Sequence, residues 1–180
     1  MTHISVAGLN GYMGEFSFAR LLAACKVSQV EFEDSLHLIE VAKQSQIGRD
    51  RIQSAKPYLN SEYGTPIRKP DGKYRIELDW AQVPAKAILD RVYGLDAVVN
   101  FRGWQIGIDV TVNPETLVEK RQKLNWLAPL WKKIGIDYVA VILLLLPQKQ
   151  PDELNQANIS LLDEFKKVIK AQKQIIALNL

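Results

Sequence analysis

The segment Tyr138–Pro147, YVAVILLLLP, constrains the fold more than any other, because it is hydrophobic throughout and carries no alternation. A strand with one wet face alternates apolar and polar residues, whereas a continuous apolar run is the mark of a strand covered on both faces. The run is about half of the ~20 residues that a membrane helix needs. It therefore reads as a buried strand, and the rest of the chain must supply helices to both sides of its sheet. A chain of 180 residues that is 47% hydrophobic can do this as one domain. The same composition excludes a disordered, collagen-like or coiled-coil chain. The formal charge of +3, from 23 Lys+Arg against 20 Asp+Glu, leans toward polyanionic partners. A protein that coats DNA would be more basic.

The region upstream is organised accordingly. From Glu15 to about Tyr58 the pattern is helical, with Phe18, Leu21, Leu22 and Cys25 on one piece and Phe32, Leu36, Ile39 and Val41 on a second. A third piece spans about Arg49 to Ala55 and is expected to stop at Pro57. Lys69-Pro70-Asp71-Gly72 is a turn between two alternating segments, a hairpin that could offer Arg68, Lys69, Lys73 and Arg75 to phosphates or simply to water. Pro84 to Tyr93 forms a short helix ended by Gly94. Strands at 95–100 and 103–112 follow. Asn113-Pro114-Glu115 opens the next helix with a cap, a first-turn proline and an acid, and that helix must break or kink near Pro129. After the buried strand come a basic helix, roughly Ile159 to Lys173, and an edge strand, QIIALNL. The middle of the chain thus reads helix, strand, strand, helix, strand. Residues 1–60 form an N-terminal helical region and 61–180 an α/β core, within a single compact domain.

Three charges sit where charges are costly. In GWQIGIDVTV the period of two places Trp104, Ile106, Ile108, Val110 and Val112 on one face and Gln105, Gly107, Asp109 and Thr111 on the other. Asp109 lies in the middle of this apolar strand and needs a cation or hydrogen bonds. Gly107 leaves room beside it for something to approach. Asp96 is similarly embedded on the preceding strand, and two carboxylates on adjacent strands can serve a hard divalent cation. On the following helix Lys120 falls inside the line Leu117, Leu124, Leu127 and Trp131, with Lys123 on its flank. Lys120 either meets Asp109 or snorkels to solvent. His3, His37 and Cys25 are too few for histidine-centred, zinc or internal disulfide chemistry. His37 is read as a packing or surface residue.

Gly94-Leu95-Asp96-Ala97-Val98-Val99, Ile106-Gly107-Ile108-Asp109-Val110-Thr111, the helix with Lys120 and the strand Val139 to Leu146 together resemble the PD-(D/E)XK, or restriction-endonuclease-like, nuclease superfamily. The resemblance covers roughly Pro84 to Pro147. It implies a restriction-endonuclease-like α/β core, helix-strand-strand-helix-strand, with a mixed sheet flanked by helices. It also implies that Asp96, Asp109 and the Val110 carbonyl hold magnesium, or manganese, at a scissile phosphate of DNA, with a lysine serving the attacking water. The pattern departs from the family at Leu95, which replaces a proline, and at Thr111, which stands where the lysine belongs. Lys120 is the position to which that lysine would have migrated, and Asp90 is a candidate helix acid. The resemblance implies an endonuclease with DNA as partner, while the single Cys25 points to a reducing compartment, the cytoplasm, and the short apolar run to no membrane. The alternatives are a catalytically degenerate nucleic-acid-binding or assembly protein on the same fold, and a homodimer packed through Trp104, Trp126 and Trp131.

Overall fold

A computed structural model describes residues 18–20, 22–23, 26–143, 163, 165–167, 170 and 175–179, the last five by backbone alone. Its elements are β1 (Ser28–Gln29), α1 (Ser35–Lys43), α2 (Gln46–Tyr63), β2 (Thr65–Arg68), β3 (Tyr74–Glu77), α3 (Ala85–Ile88), β4 (Ala97–Phe101), β5 (Trp104–Thr111), α4 (Leu117–Trp131), β6 (Tyr138–Leu143) and β7 (Ile175–Asn179). The fold is mixed α/β. Its main sheet has the order β1-β4-β5-β6-β7. The β1–β4 and β4–β5 pairs are antiparallel, and the β5–β6 and β6–β7 pairs are parallel. Parallel pairing of β5 and β6 needs a crossover, and α4 provides it.

The sheet is covered on both faces, as the apolar run requires. Val139 and Val141 face a core built with Leu38, Ile39, Leu59 and Trp131. Ala140 and Ile142 face a second core with Phe18, Leu22, Ile106 and Phe165. Successive residues of β6 thus enter different cores, so no position can be polar. Residues 144–147 of the run lie outside the described residues, as does most of the basic helix. Residues 163, 165–167 and 170 of that helix are helical, and β7 occupies the sheet edge expected of QIIALNL.

Local chemistry explains most boundaries. Asp34 caps α1 by accepting from the His37 amide at 2.8 Å, so residues 31–34 lie outside any helix where one was expected. His37 itself is exposed. Ser45 caps α2 through the Gly48 amide at 3.1 Å. α3 continues as a π-helix over Leu89–Tyr93 and stops at Gly94, whose φ of 71° suits glycine. The strand after it begins at Ala97, two residues later than expected.

Pro57, expected to end its helix, and Pro129, where a break or kink was expected, both lie inside helices. α2 runs through Pro57 to Tyr63, and α4 through Pro129 to Trp131 before a 3-10 turn at Lys132–Ile134. Pro57 and Pro129 are exposed, and so are Gln53 and Asn125, the residues whose carbonyls lose the amide partner. The residues just beyond, Leu59, Leu130 and Trp131, are fully buried, and their burial offsets the missing bond. Trp104, expected on the core face, is 42% exposed and packs edge-on against Tyr138. Among the described residues no helix is long and apolar enough to cross a membrane.

Candidate functional site

Asp109, in the middle of β5, is 1% exposed. An ionised carboxylate there is costly unless cations answer it. Two do: Lys120 Nζ donates to Asp109 Oδ1, and Lys123 Nζ lies 2.7 Å from Oδ2. The two lysines stand three residues apart in the first turns of α4 and therefore share a helix face. Lys120 also donates to the Val110 carbonyl at 2.7 Å.

Asp96 meets the amide of the same residue. Its backbone amide donates to the Ile108 carbonyl at 2.7 Å, and its Oδ2 accepts from the Val110 amide at 2.6 Å. Val110 therefore has its amide on Asp96 and its carbonyl on Lys120. Burial, followed by the nearby Asp109, pushes the Asp96 carboxyl up to about 7, against the pull of Lys120 and the Val110 amide. Asp96, Asp109, Val110 and Lys120 are thus brought together around the backbone of one residue, Val110.

Asp90 lies on the π-helix. Burial raises its carboxyl above the ordinary carboxylate range, with Arg91 and then Lys123 opposing. The Arg91 guanidinium contacts Asp90 at 3.1 Å and covers the Tyr58 ring at 3.6 Å. Arg51 from α2 donates to the carbonyls of Val92 and Arg91 and holds this turn in place. An open cleft of about 220 Å³ is lined by Glu62, Tyr63, Lys86, Asp90, Arg91 and Asp96. A smaller one of about 40 Å³ touches Asp96 and Val110 from the side of Phe18 and Gln29.

Two expected features are rearranged. The room beside Gly107 is filled by the protein itself, since a Cβ there would meet Leu95 at 3.0 and 3.1 Å and Ile136 at 3.4 Å. Thr111 does not enter the acid cluster. Its hydroxyl bonds the Asn113 carbonyl at 3.2 Å and the Thr116 hydroxyl at 2.8 Å, closing the turn from β5 into α4.

In the sequence Lys123 falls on the flank of the helix stripe, and neither Glu62 nor Arg51 stands out. The three-residue spacing from Lys120 was the available signal for Lys123. For Arg51 no signal exists, because its partners are backbone carbonyls of an element about forty residues away.

The donor chemistry at Asp109 suits a hard cation. Asp109 Oδ1 and the Val110 carbonyl already converge on a single ammonium, and carboxylate plus carbonyl oxygen is a ligand set that magnesium accepts. Among the described residues no group of three or more His, Cys, Asp or Glu is arranged to hold a metal. Magnesium commonly takes only one or two carboxylates and fills its shell with water and phosphate, so two acids and a carbonyl are compatible with it. No family model matches the sequence, and no curated protein or solved structure proves similar to it.

Proposed function

We propose that this chain is a metal-dependent nuclease of the PD-(D/E)XK type that hydrolyses phosphodiester bonds in DNA. The observation that carries the reading is the Val110 backbone, with Asp96 on its amide, Lys120 on its carbonyl and Lys120 also on the buried Asp109. The order of a short helix, antiparallel β4 and β5, the crossover helix α4 and parallel β6 supports a restriction-endonuclease-like core. Asp109, Asp96 and the Val110 carbonyl would hold magnesium or manganese. When bound, such an ion supplies an activated water and neutralises charge on the phosphate.

The other functions fall to this chain's own groups. Lys120 and Lys123 bring two positive charges to the buried Asp109, and these can meet charge developing on a phosphoryl oxygen. Asp96, with its carboxyl near 7, exchanges a proton in the neutral range where a hydrolytic water must lose one. The cleft lined by Lys86 and Arg91 opens onto Asp96, where a phosphate would enter.

The test is cleavage of supercoiled plasmid and of branched DNA with magnesium or manganese by the native chain and by Asp109→Ala. Metal-dependent nicking by the native chain, lost in the variant, is expected; equal activity in both would sink the assignment. A second reading, a catalytically degenerate DNA-binding protein, is favoured by the lysine on each Asp109 oxygen and by the Thr111 hydroxyl being tied up in its turn. It predicts salt-sensitive binding that neither needs metal nor leads to cleavage.

A further inference from the structure

The β2–β3 hairpin forms a two-stranded sheet of its own, separate from the main one. An isolated two-stranded ribbon is marginally stable in water, and this one closes tightly at its root. Ile76 there packs so closely over Gly64 that a side chain at position 64 would overlap it. The Lys69 amide bonds the Lys73 carbonyl at 2.7 Å, and the Asp71 side chain accepts from the Lys73 amide at 3.0 Å, so the tip is well formed.

Its surface is unusual in two respects. Tyr74, Ile76 and Ile67 are 68%, 49% and 39% exposed, and the register Arg68↔Tyr74, Pro66↔Ile76 and Ile67↔Arg75 puts these side chains on both faces. Beside them stand Arg68, Lys69, Lys73 and Arg75. Arg75 is paired with Glu77, while Arg68, Lys69 and Lys73 pair with no acid among the described residues. Both faces thus combine cations with apolar groups, a surface with more to gain from a polyanion with apolar base edges than from water alone.

We propose that the β2–β3 hairpin is a ribbon that enters the major groove of duplex DNA, with Arg68, Lys69 and Lys73 on the phosphates and Tyr74 toward the base edges. The major groove of B-form DNA admits a two-stranded ribbon, whereas the A-form groove of double-stranded RNA is too narrow for side chains to read. Continuity with the site supports the assignment. Glu62 and Tyr63, at the end of α2, line the cleft that contains Asp96, and Thr65 begins β2 immediately afterwards. The choice of partner rests on the nucleic-acid reading above, but the test needs neither metal nor cleavage.

A labelled duplex of about 20 base pairs is titrated in EDTA, across roughly 50–200 mM salt, with the native chain and with Arg68→Ala/Lys69→Ala/Lys73→Ala. Loss of three phosphate contacts should lower the slope of log K against log salt by about 2.7 and weaken binding at least about tenfold at low salt. Tyr74→Ala should weaken binding and leave the slope unchanged. All the substituted side chains are exposed, and an unchanged thermal melt verifies the fold.

Equal affinity and slope for the native chain and the triple variant would overturn the proposal. So would a native chain that binds no duplex, or one that binds double-stranded RNA as tightly as DNA. Ribbon-dependent binding without cleavage defeats the nuclease reading alone. Cleavage lost in Asp109→Ala with normal binding by the triple variant defeats the ribbon alone.

Discussion

The two lysines on Asp109 set up a quantitative test of what the cluster contributes to the fold. Lys123 is the cation on Oδ2, an atom that is buried and has no hydrogen-bond partner of good geometry. Lys123→Met leaves that oxygen bare while Lys120 still answers the charge, a loss of about 1–2 kcal/mol, within the range for one unsatisfied buried group. Lys120→Met removes the partner of Oδ1 and of the Val110 carbonyl together, and should cost about 2–3 kcal/mol. The lysine side chains are 25% and 33% exposed, so water screens part of each interaction and these figures are upper values.

The informative species is the double variant. With one lysine left, the carboxylate is still neutralised, whereas with neither it is an uncompensated buried charge, which typically costs about 3–5 kcal/mol or more. The double loss should therefore exceed the sum of the single losses by at least about 0.5 kcal/mol, the level at which neighbouring sites stop being additive. Urea unfolding followed by tryptophan fluorescence measures this directly, since Trp131 is fully buried and reports on the core packed against α4. Additive effects summing to less than about 1 kcal/mol would mean that the lysines are surface charges in ordinary solvent and would refute the reasoning.

Asp96→Asn tests the raised carboxyl. Its native value of about 7 lies above the ordinary 3.8, so the native fold favours the protonated form and loses stability as pH rises between those values. The amide mimics the protonated acid and keeps an oxygen for the Val110 amide. The variant should match the native chain at about pH 4 and be more stable at pH 8 by a few kcal/mol at most, read from thermal melts at both pH values; no difference between them would remove the burial argument. Gly107→Ala should cost about 1–3 kcal/mol by driving a methyl into Leu95, and Leu95→Ala in the same chain should recover part of that loss in a double-variant cycle of urea melts. Trp131→Ala should cost about 3–5 kcal/mol, while Trp126→Ala, at a site 49% exposed, should stay within about 0.5 kcal/mol. The first half of that contrast also corrects the expected dimer surface, because Trp131 is core and only Trp104 and Trp126 face solvent.

What could be read in advance depended on whether a signal was local or tertiary. The run 138–143 announced a doubly covered strand because every residue has to enter one of two cores, and period alone captures that. Asp109 and Lys120 stood out for a related reason, as charges set in otherwise apolar lines of a strand and a helix. Pro57 and Pro129 misled because the local penalty of about 3 kcal/mol was visible, while the burial of Leu59, Leu130 and Trp131 beyond them was not. Gly107 misled in the opposite way. The gap was correctly seen, but only the packed fold shows that Leu95, from the neighbouring strand's approach, occupies it.

Thr111 links these cases to the chemistry. It is the last residue of β5, nearly buried, and its hydroxyl is committed to Asn113 and Thr116 where the strand turns into α4. A lysine at this position would have to replace that turn network with a long charged chain in a buried corner. α4 starts at the same corner, and its residues three and six positions into the helix already point back at β5. Four-carbon stems from Lys120 and Lys123 reach Asp109 from there without entering the turn. In this chain, therefore, the positive charge beside the acids is supplied by the helix that follows the strand, and a motif confined to the strand could not have located it.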